Sequence, residues 1–288
     1  VAIALDEIIA GRAPGEHSQA AHHRFIITIF GVYGRPAGRA LKVSTVVGLM
    51  SVLGYEPASV RSSISRLKKK GVLVPQAVDG AVGYALAEEL EPHMIIGDER
   101  IFSPRSQGAN EPWLMVSYSV PEAQRKNRQI IRTGLTRLGF GTVVPGLSIA
   151  PAHLRAEVME YMTKHGVTEY VDYFASEPIG PGGMRQRVAQ WWNLESLESH
   201  YREFVDLYEH EVAKWSTHTS TDLVSLRAAF QLYIPLLTHW RRLPYLDPGL
   251  PIEFLPDGWM GIRARRAFTE LHRSIAPLAA AYVRREMA

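Results

Sequence analysis

From residue 21 onward, the apolar positions fall into three successive patterns. Phe25, Ile26, Ile29, Phe30 and Tyr33 recur at helical spacing, and Gly31 and Gly34 loosen the end of that helix. Val43, Val46, Val47, Met50, Val52 and Leu53 predict a second short helix closed by Gly54. Pro57 suits the first position of a third helix, which runs to Lys70 and stops at Gly71. Two strand-like pieces follow at 72–75 and 82–86, with Asp79-Gly80 between them as a hairpin signal. Three short helices and a hairpin predict a winged helix-turn-helix over 21–88, preceded by a flexible tail over 1–20. Residues 88–112, rich in acidic residues and proline, read as a connector.

The pattern then alternates. A strand over 113–120 leads into a helix opened by Pro121-Glu122 and ending near Leu138. Residues 142–149 are strand-like with a Pro145-Gly146 break, 153–165 are helical, and 167–175 alternate as a strand. That order predicts a ferredoxin-like α/β domain over 112–177. A proline- and glycine-rich linker, 177–183, separates it from a helical C-terminal domain over 184–288. There 197–215 is amphipathic, 223–242 carries Pro235 as a kink, and 243–257 is a proline-rich loop. Residues 262–283 form a basic helix that Pro277 is expected to break. The fold class is therefore α+β: an N-terminal winged helix-turn-helix, a central ferredoxin-like α/β domain and a C-terminal helical domain.

Composition narrows the function classes. Of 288 residues, 46% are hydrophobic and 21% charged, which excludes wholesale disorder. The absence of cysteine excludes disulfides, thiolate zinc sites, iron–sulfur clusters and cysteine nucleophiles. No apolar run reaches the roughly 18 residues of a membrane helix, and the N-terminus lacks the basic start of a signal peptide. A cytoplasmic protein without membrane association is expected. A net charge of +3 permits nucleic acid as a partner without requiring it.

Charge distribution is more informative than charge. On a helical wheel, Val60, Ile64 and Leu67 fall together on the core side of the third helix. Ala58, Ser62, Ser65, Arg66 and Lys69 lie opposite, Arg61 and Lys68 flank that face, and Ser59 belongs to the same block. Between Tyr55 and Pro75 there are five basic residues and one acidic one, so the local excess exceeds that of the whole chain. Such a face can enter a major groove, with the serines and Arg66 at base edges and the lysines at phosphates. The bland alternative is a solvated helix end whose lysines complement the dipole.

Catalytic and metal signals are weak. The chain has 11 histidines but no His–x–x–x–His pair with an intervening glutamate on one helix. His22 and His23 are adjacent and point apart. Gly180–Gly183 precedes Arg185 and Arg187 but lacks a P-loop lysine and a dinucleotide fingerprint, so it reads as a linker. No catalytic residue, metal or cofactor is expected.

Three blocks resemble one family. Residues 25–35, "FIITIFGVYGR", are similar to the first helix of the PaaX family of phenylacetate-degradation repressors. Residues 113–151, "WLMVSYSVPEAQRKNRQIIRTGLTRLGFGTVVPGLSIAP", resemble that family's central domain. Residues 239–268, "HWRRLPYLDPGLPIEFLPDGWMGIRARRAF", resemble its C-terminal signature. In the same order, the blocks extend the resemblance over about 21–285. It implies a homodimeric repressor whose winged helix reads a palindromic double-stranded DNA operator and which an aryl-acyl coenzyme A thioester releases. Such an effector needs an apolar slot and basic residues for its phosphates. Trp191, Trp192, His239, Trp240, Arg241 and Arg242 are the candidates, with interdomain packing as the alternative.

The resemblance also likens the central unit to a CRISPR-associated nuclease family that holds a divalent metal on an aspartate at the end of its first strand. Ser119 stands there in this chain, and a neutral hydroxyl is a poor ligand for a hard cation. A metal-dependent nuclease is thus disfavoured. A second competitor is a small-molecule-binding or scaffold protein that has lost DNA binding. Its support is the wing tip, residues 76–81, which has no arginine and carries Asp79. Two further departures are Val32 in place of the family's usual aspartate and the lack of an aromatic residue at Leu147-Ser148.

Overall fold

The computed structural model describes residues 19–36, 38, 40–177 and 183–287. The expected tail lies outside these residues except for Gln19 and Ala20, as does most of the expected 177–183 linker. The chain divides into two compact units. Of the described residues, those up to 101 together with 204–242 and 263–287 form one, and those within 102–203 and 243–262 form the other.

In the first unit, α1 (Gln19–Ile29) runs into a π-helical turn, Phe30–Gly34. A short strand β1 (Ala40–Lys42) precedes α2 (Val43–Val52) and α3 (Pro57–Lys69). β2 (Leu73–Pro75) and β3 (Gly83–Leu86) follow, and β3 is central in an antiparallel sheet of order β1-β3-β2. The sequence pattern did not reveal β1, because three residues are too few to show a period. Asp79 and Gly80 both take positive φ, 49° and 75°, as a tight hairpin turn with paired left-handed residues requires.

Residues 88–112, read as a connector, contain a helix that the sequence pattern did not reveal. A 3-10 turn, Glu88–Leu90, leads into α4 (Glu91–Phe102). Pro92 is tolerated there because the first helical turn needs no N–H partner. Arg35 ties α4 to the end of α1, bonding Glu91 through Nε and Nη2 (3.3 and 2.8 Å) and Asp98 through Nη1 (2.7 Å).

His22 through Phe30 are all buried, polar residues included. A helix covered on all sides needs partners on all sides. α2 and α3 cover part of α1, and α9 (Leu223–Trp240) covers another part. The Thr28 and Thr238 hydroxyls meet at 2.8 Å, Arg241 donates to the Arg24 carbonyl at 3.2 Å, and Tyr33 packs on Phe230. The first block of the chain and part of its last block therefore share one core.

In the second unit, β4 (Trp113–Tyr118), α5 (Arg125–Arg137), β5 (Gly141–Val144), β6 (Leu147–Pro151), α6 (Arg155–Lys164) and β7 (Val171–Ser176) form an antiparallel sheet of order β5-β6-β4-β7 with two helices. This is the ferredoxin-like arrangement. The broken strand read at 142–149 is a tight hairpin of two strands turning at Pro145-Gly146. The core is Leu114, Val116 and Ala150 from the sheet against Ile131, Leu135, Val158 and Met162 from the helices.

Beyond the linker come α7 (Met184–Trp191), α8 (Leu194–Ser216), α9, a single turn at Leu243–Leu246 and α10 (Met260–Met287). α10 is continuous through Pro277 rather than broken there. Proline removes one backbone donor, and the flanking turns hold the helix. Among the described residues, no helix is long and apolar enough to cross a membrane.

Candidate DNA-reading surface

α3 begins cleanly because Glu56 is extended (φ −66°, ψ 130°) and Pro57 supplies a preset helical φ at the first turn. Val60, Ser63, Ile64 and Leu67 form its buried stripe. Ala58, Ser59, Arg61, Ser62, Ser65, Lys68 and Lys69 are exposed, and Arg66 is half-buried. The wheel thus divided the helix correctly, except that Ser63 joins the core. Arg66 donates to the Ser62 hydroxyl at 3.2 Å, one turn back. Arg61, Lys68 and Lys69 have no ion pair among the described residues, so the outward face is an unneutralised cationic strip. Arg66, Lys68 and Lys69 also lie in the last turn, where they complement the C-terminal carbonyls.

The back of α3 is set by α1. The Ser63 hydroxyl meets His22 Nδ1 at 3.5 Å, and the His22 ring packs edge-on to Tyr55 at 4.6 Å. His23 is buried, with no hydrogen-bond partner at Nε2. Burial first, then the charges of Lys70, Arg66 and His22, push its pKa from 6.5 down to about 4. It is therefore a neutral imidazole beneath a cationic helix end. Sequence reading took the two histidines only as an unlikely metal pair, because the burial that gives His23 its character comes from elements distant in the chain. Among the described residues, no cluster of three or more metal-ligating side chains occurs.

The wing is not basic. Asp79 at its tip pairs with Lys42 of β1 at 3.0 Å, and Val82 is among the most exposed apolar side chains. Ser119, just beyond β4, is exposed.

The six proposed effector residues are divided between the units. Trp191 and Trp192 lie in the second, where Trp192 is buried against Trp113 and donates to the Gly139 carbonyl at 2.8 Å. Trp191 is half-buried beside it. His239, Trp240, Arg241 and Arg242 lie in the first. Trp240 stacks on Phe268 at 4.5 Å and donates to the Ile101 carbonyl, and His239 packs edge-on to Phe204. Arg241 is buried and Arg242 half-buried. Packing accounts for both Trp192 and Trp240.

Comparison with known proteins places this surface in context. Three family profiles match in order: PaaX-like protein over residues 22–90, PaaX protein central Cas2-like domain over 106–188, and PaaX-like protein C-terminal domain over 192–285. The transcriptional repressor PaaX of Escherichia coli (strain K12) is 24% identical over 262 residues, covering 90% of this chain and 81% of that protein. Among solved structures, the uncharacterized protein Rv0674 from Mycobacterium tuberculosis superposes with a TM-score of 0.56 at 19% identity. That match covers 89% of this chain and 97% of the other, and supports the fold.

Proposed function

Because the chain belongs to the PaaX-like protein family, we propose that it is a transcriptional repressor, not an enzyme, and that it reads duplex DNA with the outer face of α3. The observation that carries the reading is the unpaired strip of Arg61, Lys68 and Lys69 beside Arg66 and three exposed serines. On a helix backed by its own buried stripe, these side chains are free to meet a groove without disturbing the core. In this reading Arg66 and the serines reach base edges and the lysines contact phosphates. The hairpin of the wing has no basic residue and carries Asp79, which leaves the electrostatic attraction to α3.

The finer reading is a cytoplasmic homodimer on a palindromic operator, since paired recognition helices match a two-fold site. Release would come from an acyl coenzyme A thioester that favours a different spacing of the two helices. Such a ligand relieves repression only by its differential affinity for the two states.

The test begins with selection of genomic fragments by the purified protein at near-physiological salt. Enrichment of fragments sharing a palindrome is the expected result. On the selected site, Arg66→Ala should cost about 1–3 kcal/mol and blur specificity, with a smaller loss on random DNA. Lys69→Ala should weaken both alike and lower the salt slope by about one. Equal effects of both changes on both DNAs would overturn these roles, and a monomer on operator in light scattering would overturn the dimer.

A further inference from the structure

The second unit contains a cavity of about 480 Å³ on the helix side of its sheet, beside the β5–β6 hairpin. Its position follows from strand register. Ser148 lies opposite Val116 on one side and Thr142 on the other, and directly paired residues share a face. Val116 is in the core that α5 and α6 cover, so Ser148 and Thr142 also point to the helix side. Leu135 and Phe140 form an apolar wall there, while Arg128 and Arg132 of α5 line the same space one helical turn apart.

Three features make this a binding site rather than a packing defect. Ser148 is only 5% exposed, lines the cavity and makes no side-chain hydrogen bond among the described residues, so its hydroxyl is open to whatever fills that space. Arg128 is held in place by Glu122 (3.1 Å) and by the Val120 carbonyl (2.7 Å), so one guanidinium is fixed at the site. Arg132 is exposed and has no ion pair, so the second is available. No carboxylate is among the residues lining the cavity. The volume is in the range of small-molecule sites, about 300–1,000 Å³, which characteristically combine apolar walls with a few placed polar groups.

We propose that this cavity binds a small amphipathic organic anion. Its carboxylate or phosphate meets Arg132 and Arg128, its apolar body lies on Leu135 and Phe140, and Ser148 bonds to it from the floor. The site is independent of α3 and does not rest on the DNA-binding reading. Glu122 offsets Arg128, so the net positive charge of the site comes from Arg132, and it selects against divalent cations and against neutral molecules of the same shape.

The test is calorimetric titration of the full chain with 3-phenylpropionate, phenyl phosphate and 3-phenylpropan-1-ol. The aromatic body suits Phe140, and the two anions distinguish a carboxylate from a phosphate preference. Saturable binding of at least one anion, with the alcohol at least about tenfold weaker, is the expected result, that being the scale of one charge-assisted hydrogen bond. Arg132→Ala should weaken the anion by about tenfold or more and leave the melting temperature of the free protein unchanged, because Arg132 is exposed and unpaired. Failure of both anions to bind, equal binding of the alcohol, or unchanged affinity in Arg132→Ala would each overturn the proposal. Operator affinity is measured separately and bears on neither outcome.

Discussion

His23 makes the stability of the first unit depend on pH in a calculable way. Its imidazole is 9% exposed, and its pKa falls from 6.5 in the unfolded chain to about 4 in the fold. Between those values the unfolded chain binds a proton that the folded protein refuses. Stability from this group is therefore complete above pH 6.5, declines as pH falls and is lost by about pH 4. At about 1.36 kcal/mol per pH unit, the whole effect is about 3 kcal/mol, of which about 2.5 is lost by pH 4.5. Carboxylates titrate in the same window, so the wild type alone does not isolate the term. His23→Leu does, since it fills much of the same space and cannot titrate. The assay is urea unfolding of both proteins at pH 7.5 and 4.5. The wild type should lose more stability than the variant on acidification, by about 2.5 kcal/mol. Lys70→Ala in the wild type should shrink the difference, because that charge is the largest contributor after burial. Equal pH dependence in wild type and His23→Leu would refute the reasoning.

Arg35→Ala leaves Glu91 and Asp98 without their shared partner and should destabilise the first unit by about 2–3 kcal/mol, with hydrogen exchange rising first in α4. Gly134→Ala would drive a methyl group into the Tyr161 ring where α5 meets α6, costing about 1–3 kcal/mol in thermal unfolding. The Thr28–Thr238 pair should respond asymmetrically. Thr28 donates to the Arg24 carbonyl, so Thr238 is the donor in their mutual bond. Thr28→Val strands that buried donor and should cost about 1–2 kcal/mol, whereas Thr238→Val should cost less than about 1 kcal/mol. The reverse order in urea unfolding would contradict this assignment.

What the sequence revealed is what its local periods encode. α3 was legible because Val60, Ile64 and Leu67 repeat at helical spacing between a proline start and a glycine stop. The ferredoxin-like order was legible because strands and helices alternate with glycine and proline between them. Three features were not. β1 has three residues and exists because β3 offers it an edge. α4 was hidden by acidic residues and Pro92, and it is fixed by Arg35, which lies 56 positions before Glu91. The cavity depends on register, since Ser148, Arg132 and Phe140 carry no common pattern in the chain. His239 and Trp240 stood out in the sequence for their chemistry, yet their surroundings are the packing of α8, α9 and α10, which no local pattern discloses.

The burial of His22 through Phe30 bears on how α3 is held. A winged helix with its own core would let α3 be treated as a module that later domains merely carry. Here α1 gives Thr28 to α9 and the Arg24 carbonyl to Arg241 just beyond it, and gives His22 to Ser63 of α3 and Phe25 to Tyr55 just before α3. The layer between α9 and α3 is thus one helix thick. Close-packed layers of this kind do not deform gradually; they shift between discrete arrangements. A displacement of α9 must either repack α1 or be passed to α3. If DNA fixes α3 as proposed, linkage requires that it alter the affinity of a ligand that biases α9 by the same factor as that ligand alters DNA affinity. The polar seam of Thr28, Thr238, Arg24 and Arg241 makes that step selective, because its directional hydrogen bonds fit one register of α9 on α1 and are lost in others.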